Sequence, residues 1–217
     1  QTVRLAHVAA SLAHDTRDDI INPTRGGFSS LDARIYNQTI GSEEGFLRLF
    51  ASASTFKEIG HGIVWASSVR AGALPSRIPI SERFFAGGDT TLRGFQFNTA
   101  GPLEPVKDPN GPIPLDLKPI GGNGLFIINQ ELRFPIYKAL KGVVFYDAGN
   151  VYARLSDFDV TDLRHVLGAG LRFDTPVGPF RIEYGRKLDH DLVYDELGRP
   201  VGRRPESRGQ FFFSIGQ

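Results

Sequence analysis

Apolar and polar residues alternate with a period of two along most of the chain, not with the 3.6-residue period of a helix. Between residues 124 and 134, Phe126 and Leu132 fall on one side, and Glu131 and Arg133 fall on the other. The same alternation recurs at about 2–14, 31–35, 47–53, 63–70, 142–151, 164–173, 180–184 and 210–215. Since successive side chains of a strand point to opposite faces, the pattern predicts an all-β fold of about nine strands.

The predicted connections alternate largely between short and long. Short turns are expected at 22–27, 135–141 and 174–179, and longer loops at 75–122, 154–163 and 188–207. In an antiparallel up-and-down sheet, short turns on one rim and long loops on the other are typical of an outer-membrane barrel. The pattern therefore favours a transmembrane β-barrel with an apolar face toward lipid and a charged face toward the lumen. A soluble β-sandwich binding module, which alternates equally well, remains a distant alternative.

Composition excludes several other classes. The chain has 25 Lys and Arg against 24 Asp and Glu, so its net charge of +1 gives no reason to expect a nucleic-acid partner. It has no cysteine, and its five histidines show no metal-ligand spacing, so we predict no disulfide and no metal site. Neither a phosphate-binding loop nor a Ser-His-Asp arrangement is recognisable, so we predict no cofactor and no enzymatic activity.

The connection at residues 75–122, called the long loop below, is too long for an ordinary structureless loop of a compact domain. It carries four phenylalanines, Phe84, Phe85, Phe95 and Phe97. Because such a segment gains free energy by packing, we expect it to fold into the barrel lumen.

Arg93 would then bring a charge to an enclosed wall, where it needs carboxylate partners. Glu131 and Asp147 lie on the polar sides of the next two strands, and Phe145 shares the face of Asp147 and can stack on the guanidinium. Close approach of the loop would be allowed by two glycines, Gly94 and Gly149. On spacing alone, a solvated Arg93 with ordinary lumenal charges at Glu131 and Asp147 stays open.

Five motifs occur in a fixed order along nearly the whole chain: NPTRG (22–26), FFAGGDTTLRGF (84–95), FYDAGNV (145–151), TPVGP (175–179) and FFFSIGQ (211–217). Together they resemble the BamA/TamA superfamily of outer-membrane protein insertases, the bacterial surface antigen family. The LRGF tetrad (Leu92, Arg93, Gly94, Phe95) resembles the family's [VI]RG[FY] loop motif, with Leu92 a conservative departure.

The resemblance implies a bacterial outer-membrane protein whose loop lies inside the barrel, with Arg93 against Glu131 and Asp147. It implies that other outer-membrane proteins are inserted at a weak seam between the first and last strands. The seam strand would contain Phe211, Phe213, Ile215 and Gly216. Implied partners are unfolded outer-membrane proteins, periplasmic chaperones or accessory lipoproteins, and the lipid bilayer. A two-partner secretion translocator of the same superfamily is the alternative.

Nine strands is an odd number, whereas single-chain bacterial barrels normally have an even one. We therefore expect residues 1–217 to be the C-terminal part of a larger barrel domain, with its earlier strands and periplasmic repeats absent. An unusual short member that pairs its free edge with another chain would also fit.

Overall fold

The computed structural model describes residues 3–75, 78–106, 116–175, 178–188, 192–194, 200–203 and 207–215. In chain order its strands are β1 (His7–Asp15), β2 (Gly26–Tyr36), β3 (Phe46–Gly60), β4 (Ile63–Ala73), β5 (Leu103–Val106), β6 (Asp116–Pro119), β7 (Gly124–Tyr137), β8 (Leu140–Tyr152), β9 (Arg164–Phe173), β10 (Phe180–Lys187), β11 (Leu192–Tyr194), β12 (Pro200–Arg203) and β13 (Gly209–Ile215). Short 3-10 turns lie at Gln38–Ile40, Ile80–Glu82 and Leu155–Asp157. None of the helices in these ranges is long and apolar enough to cross a membrane.

Nine of the strands form one antiparallel sheet in the order β1-β2-β3-β4-β7-β8-β9-β10-β13. Each strand pairs with the next member of that order, so the chain runs up and down without crossing itself. The predicted nine-stranded, all-β meander is confirmed.

Two details differ from the prediction. β1 begins at His7, because the residues before it turn toward the β2–β3 connection, where the Glu43 amide donates to the Arg4 carbonyl. The two longest connections carry small hairpins of their own, β5–β6 and β11–β12. These strands are three or four residues long, too short for alternation to reveal them.

Burial in the sheet is inverted relative to a water-soluble protein. Leu167, Phe173 and Phe213 on the predicted apolar face are 54%, 50% and 68% exposed. On the opposite face, Asp147 and Glu183 are 0% and 3% exposed. A soluble sandwich would bury the first group against a second sheet, so the sandwich alternative is wrong. A barrel with lipid outside and charges inside requires this distribution.

The sheet curls so that its two ends approach each other across the interior. In the β1–β2 turn, Asn22 Nδ2 lies 3.4 Å from both carboxylate oxygens of Asp174 in the β9–β10 turn. In a flat sheet, β2 and β9 would be about 24 Å apart, at roughly 4.8 Å per strand. Next to Asn22, the buried Pro23 accepts a hydrogen bond on its carbonyl from Arg133 Nη1 at 3.4 Å. The concave side of the sheet therefore faces an interior, the lumen, across which these two turns meet.

The long loop packs on the inner wall of this lumen. Buried apolar side chains of the loop and its flanks meet those of the strands in one cluster. The cluster contains Tyr36, Phe46, Leu74, Ile78, Phe84, Ala86, Leu92, Phe95, Ala100, Leu125, Ile127, Phe145, Val151 and Val166. The hydrophobic core thus lies inside the barrel, between loop and wall. Phe97 differs from the expectation, because it is 76% exposed. It occupies a turn in which the Thr99 amide donates to the Gln96 carbonyl at 3.1 Å.

Candidate functional site

Arg93 of the long loop is buried against the inner wall of the sheet. Its Nε and Nη2 donate to the two carboxylate oxygens of Asp147 on β8, at 2.9 and 2.8 Å. The backbone amide of Arg93 donates to the same carboxylate at 3.1 Å. Asn129 Nδ2 donates both to Asp147, at 2.9 Å, and to the Thr91 carbonyl of the loop, at 2.7 Å. The carboxylate therefore holds the guanidinium and the loop backbone together.

The second guanidinium edge of Arg93 meets two more carboxylates. Nη1 donates to Glu131 on β7 at 2.8 Å and to Glu183 on β10 at 3.1 Å. Arg172 of β9 bridges the same two glutamates, with contacts of 2.7 Å to each. Glu131 also accepts from Arg133 at 2.5 Å. Alternation within 164–173 and 180–184 puts Arg172 and Glu183 on the polar face, but sequence reasoning assigned only Glu131 and Asp147 to Arg93.

These six side chains, called the ion cluster below, come from the loop and from four neighbouring strands, β7 to β10. They are Arg93, Arg133, Arg172, Glu131, Asp147 and Glu183. Three positive and three negative charges balance, as a poorly solvated site requires. Burial by itself lowers the pKa of Arg93, but the neighbouring carboxylates of Asp147, Glu131 and Glu183 raise it by more. The net pKa shift is upward, and the guanidinium stays charged.

Aromatic rings complete the surroundings of the LRGF tetrad. The Arg93 guanidinium carbon lies 3.5 Å from the centre of the Phe145 ring, a stacked cation–π contact. Phe95 is buried, with the Lys187 amino group 4.3 Å from its ring centre. Leu92 is fully buried in the apolar cluster. The tetrad thus alternates apolar anchors with the charge between them.

Glycines set how closely the loop approaches the wall. Gly94 has φ +111°, a conformation that side chains rarely adopt. Opposite it, a Cβ added to Gly185 of β10 would lie 2.6 Å from the Arg93 carbonyl carbon. Gly149, which was expected to admit the loop, lies instead against the β7 backbone. A Cβ added to it would be 2.5 Å from the Phe126 carbonyl oxygen. The strand glycine that lies beneath the LRGF tetrad is Gly185.

A polar cavity of about 320 Å³ lies beside the ion cluster. Its lining includes Arg70, Arg181 and Asp89 as well as members of the cluster, and Asn22 of the β1–β2 turn. In the described part of the chain, no group of three or more His, Cys, Asp or Glu side chains could hold a metal ion.

The predicted seam strand is β13. It pairs with β10, and within the described residues it is the last strand of the sheet, as β1 is the first. Phe211, Phe213 and Ile215 point outward and are largely exposed, and the Phe211 ring lies 4.6 Å from that of Tyr184. Gly216 lies outside the described residues.

Sequence comparison identifies the family to which this architecture belongs. The sequence model of the Omp85 superfamily domain matches residues 2–217. The chain belongs to the Omp85 superfamily. The resemblance to the BamA/TamA insertases inferred from the motifs is thereby confirmed.

Among Omp85 relatives, the chain is similar to an outer membrane protein assembly factor BamA from Nitratidesulfovibrio vulgaris. The two are 27% identical over 98% of this chain and 25% of the relative. A SAM50-like protein from Drosophila melanogaster is 26% identical over 74% of this chain and 36% of its own length. The chain therefore spans about a quarter to a third of the length of these curated relatives.

A solved Omp85 structure has the same fold. The crystal structure of BamA from Haemophilus ducreyi lacking POTRA domains 1–3 matches 97% of this chain and 42% of its own chain. The TM-score is 0.73 at 21% sequence identity. The barrel architecture is shared although four in five aligned residues differ.

Proposed function

We propose that this chain is the membrane-inserted barrel portion of an outer-membrane protein assembly factor. Such a factor inserts other β-barrel proteins into the bacterial outer membrane. The observation that carries the proposal is the ion cluster, which ties an LRGF loop to the lumenal wall of an Omp85 sheet. The name of the relative from Nitratidesulfovibrio vulgaris, an assembly factor, supports assembly over the alternative of secretion.

In the proposed mechanism the last strand, β13, and the long loop have different roles. β13 presents a strand edge whose backbone groups can pair with an incoming strand, and its phenylalanines face lipid. The loop, held by Arg93, keeps β7 to β10 in a fixed curvature while that edge exchanges partners. Folding of the substrate in the bilayer supplies the driving force.

The proposed partners follow from this chemistry. An unfolded outer-membrane protein offers unpaired strands to the edge, and the bilayer solvates the outward apolar face. Periplasmic chaperones or accessory lipoproteins would deliver the substrate. That residues 1–217 are the C-terminal part of a longer barrel, and that the chain is not an enzyme, both stay predictions.

Replacing Arg93 tests the proposal directly. Arg93→Ala leaves three carboxylates facing two arginines, and such an uncompensated buried charge costs about 3–5 kcal/mol. We expect the loop to leave the wall and assembly to fall, while most strands persist. Folding of an urea-denatured eight-stranded barrel protein into liposomes that contain the purified protein measures assembly. Limited proteolysis measures loop order.

The matched control is Arg25→Ala, because Arg25 forms an exposed salt bridge with Glu58 at 2.8 Å. It should leave both measurements unchanged. Full assembly activity and an intact, protected loop in Arg93→Ala would refute the proposed role.

A further inference from the structure

The long loop makes a second polar contact with the wall, near its first residues and far from Arg93 in the strand order. The Tyr36 hydroxyl, at the end of β2, donates to Glu82 Oε2 at 2.5 Å. Arg48 Nε, on β3, donates to the backbone carbonyl of Glu82 at 3.2 Å. Tyr36 is buried and Glu82 is half-buried, so the carboxylate supplies the acceptor that a buried hydroxyl requires.

Phe84 extends this contact to a third strand. The Arg48 guanidinium carbon lies 4.6 Å from the centre of the Phe84 ring, and the Phe50 ring stacks at 6.2 Å. A Cβ added to Gly72 of β4 would lie only 2.5 Å from the ring. Phe84 therefore rests directly on the β4 backbone, next to the Glu82 contact.

We propose that Glu82, Tyr36 and Arg48 form a second anchor of the long loop, called the Glu82 anchor. It holds the loop on β2 and β3, with Phe84 resting on β4, whereas the ion cluster holds the loop on β7 to β10. The loop is then a brace across seven neighbouring strands rather than a plug fixed at one point. This rests on the proposed function only in supposing that assembly needs a seated loop.

The brace predicts a particular behaviour of the loop. When one anchor is released, the other keeps the freed end close to its site, at a high effective concentration. Release of Arg93 should therefore mobilise the LRGF end of the loop and leave the Glu82 end seated. Loss of the Glu82 anchor should do the reverse.

The absence of cysteine in the sequence makes this measurable. A nitroxide attached through Ser81→Cys reports on the Glu82 end, and one attached through Thr90→Cys reports on the Arg93 end; both side chains are exposed. Electron paramagnetic resonance line shapes of the full chain in liposomes give the mobility of each label. Because the Arg48 bond to the Glu82 backbone carbonyl would survive either single change, the anchor is released by Tyr36→Phe combined with Arg48→Gln and by Glu82→Ala combined with Arg48→Gln. In both double variants, we expect the label at 81 to lose its immobilised component and the label at 90 to keep it. In Arg93→Lys, we expect the opposite.

Glu43→Ala, an exposed carboxylate in the β2–β3 connection, is the matched control and should change neither spectrum. Tyr36→Phe keeps the ring that stacks on Phe46 at 4.0 Å, so its double variant decides the result if the one with Glu82→Ala does not fold. An immobilised label at 81 in Tyr36→Phe combined with Arg48→Gln overturns the anchor, as does mobility at both positions in Arg93→Lys. The spectra need no substrate: end-specific changes in a protein without assembly activity would overturn the proposed function and keep the anchor.

Discussion

Glu131 accepts hydrogen bonds from three arginines that reach it from different directions: Arg93 of the loop, Arg133 of its own strand and Arg172 of β9. Glu183 is shared by Arg93 and Arg172 in the same way. Both glutamates thus have at least two cationic donors, and Arg93 and Arg172 each reach more than one carboxylate. In a buried site, removing a single member leaves a charge that water cannot solvate.

Glu183→Gln is therefore expected to destabilise the folded barrel, because the ion cluster would carry a net charge of +1. The loss should be about 3–5 kcal/mol, the usual range when one partner of a buried pair is removed. The midpoint of urea unfolding, followed by heat-modifiable gel migration, measures it. Glu58→Gln, at the exposed pair with Arg25, is the control and should cost no more than about 1 kcal/mol. Equal shifts in the two variants would contradict a shared buried network.

For a single residue, alternation predicts the face of the sheet on which its side chain lies, but not how deeply that side chain is buried. Alternation put Glu131, Asp147 and Phe145 on the inner face, and the need of Arg93 for counter-charges connected them. Glu183 and Arg172 have the same parity. Their proximity depends on the curl of β7 to β10 around the loop, which alternation within one strand does not contain.

β10 (Phe180–Lys187) shows how an element is adapted to the loop that crosses it. Its inward positions carry a counter-ion, Glu183, and two residues later Gly185, where the loop backbone lies directly on the strand. On the neighbouring strand, a Cβ at Gly168 would lie 2.1 Å from the Phe145 ring. Small residues thus create the space that the ring and the LRGF tetrad occupy.

Gly185→Ala should expel the LRGF end of the loop without separating β10 from its neighbours. The added methyl would lie 2.6 Å from the carbonyl carbon and oxygen of Arg93, and paired strands on both sides prevent β10 from moving away. Hydrogen–deuterium exchange should rise in the loop and stay low in β9 and β10. In Gly45→Ala the nearest atom to the new Cβ would be 3.8 Å away, so its exchange should match the parent protein. Unchanged loop protection in Gly185→Ala would count against the close approach.

The strands of the nine-stranded sheet were predictable, because a face in contact with lipid enforces period two over seven or more residues. The β5–β6 hairpin was not: Pro105 and four-residue strands give no alternation to detect. The start of β1 was also missed, since it depends on a contact between Arg4 and the distant Glu43.

At the scale of the whole molecule, the sheet turns an apolar face outward and a charged face toward the loop inside. Its single tryptophan, Trp65 on β4, belongs to the outer face and is 49% exposed. Its indole nitrogen donates to Gln130 on β7 at 2.9 Å, so the polar atom of the ring is satisfied without water. Trp65 is therefore a natural reporter of the surface that faces lipid.

Brominated acyl chains should quench the fluorescence of Trp65 in liposomes, whereas aqueous iodide should not. As the matched control, Trp65→Phe combined with Phe56→Trp moves the indole to the inner wall, and brominated lipid should then lose its effect. Quenching of Trp65 by iodide alone would mean that this face lies in water, and the barrel orientation would be wrong.

The acceptors of Arg93 lie 38, 54 and 90 residues after it in the chain, on three different strands. Asn22 and Asp174, which meet across the lumen, are separated by 152 residues. Hairpins between consecutive strands close short segments and form quickly. Contacts between residues so far apart in sequence form more slowly, because closing a long segment of chain costs more conformational entropy. We therefore expect the interior to be completed last, with the loop taking its final position only after β10 has joined the sheet.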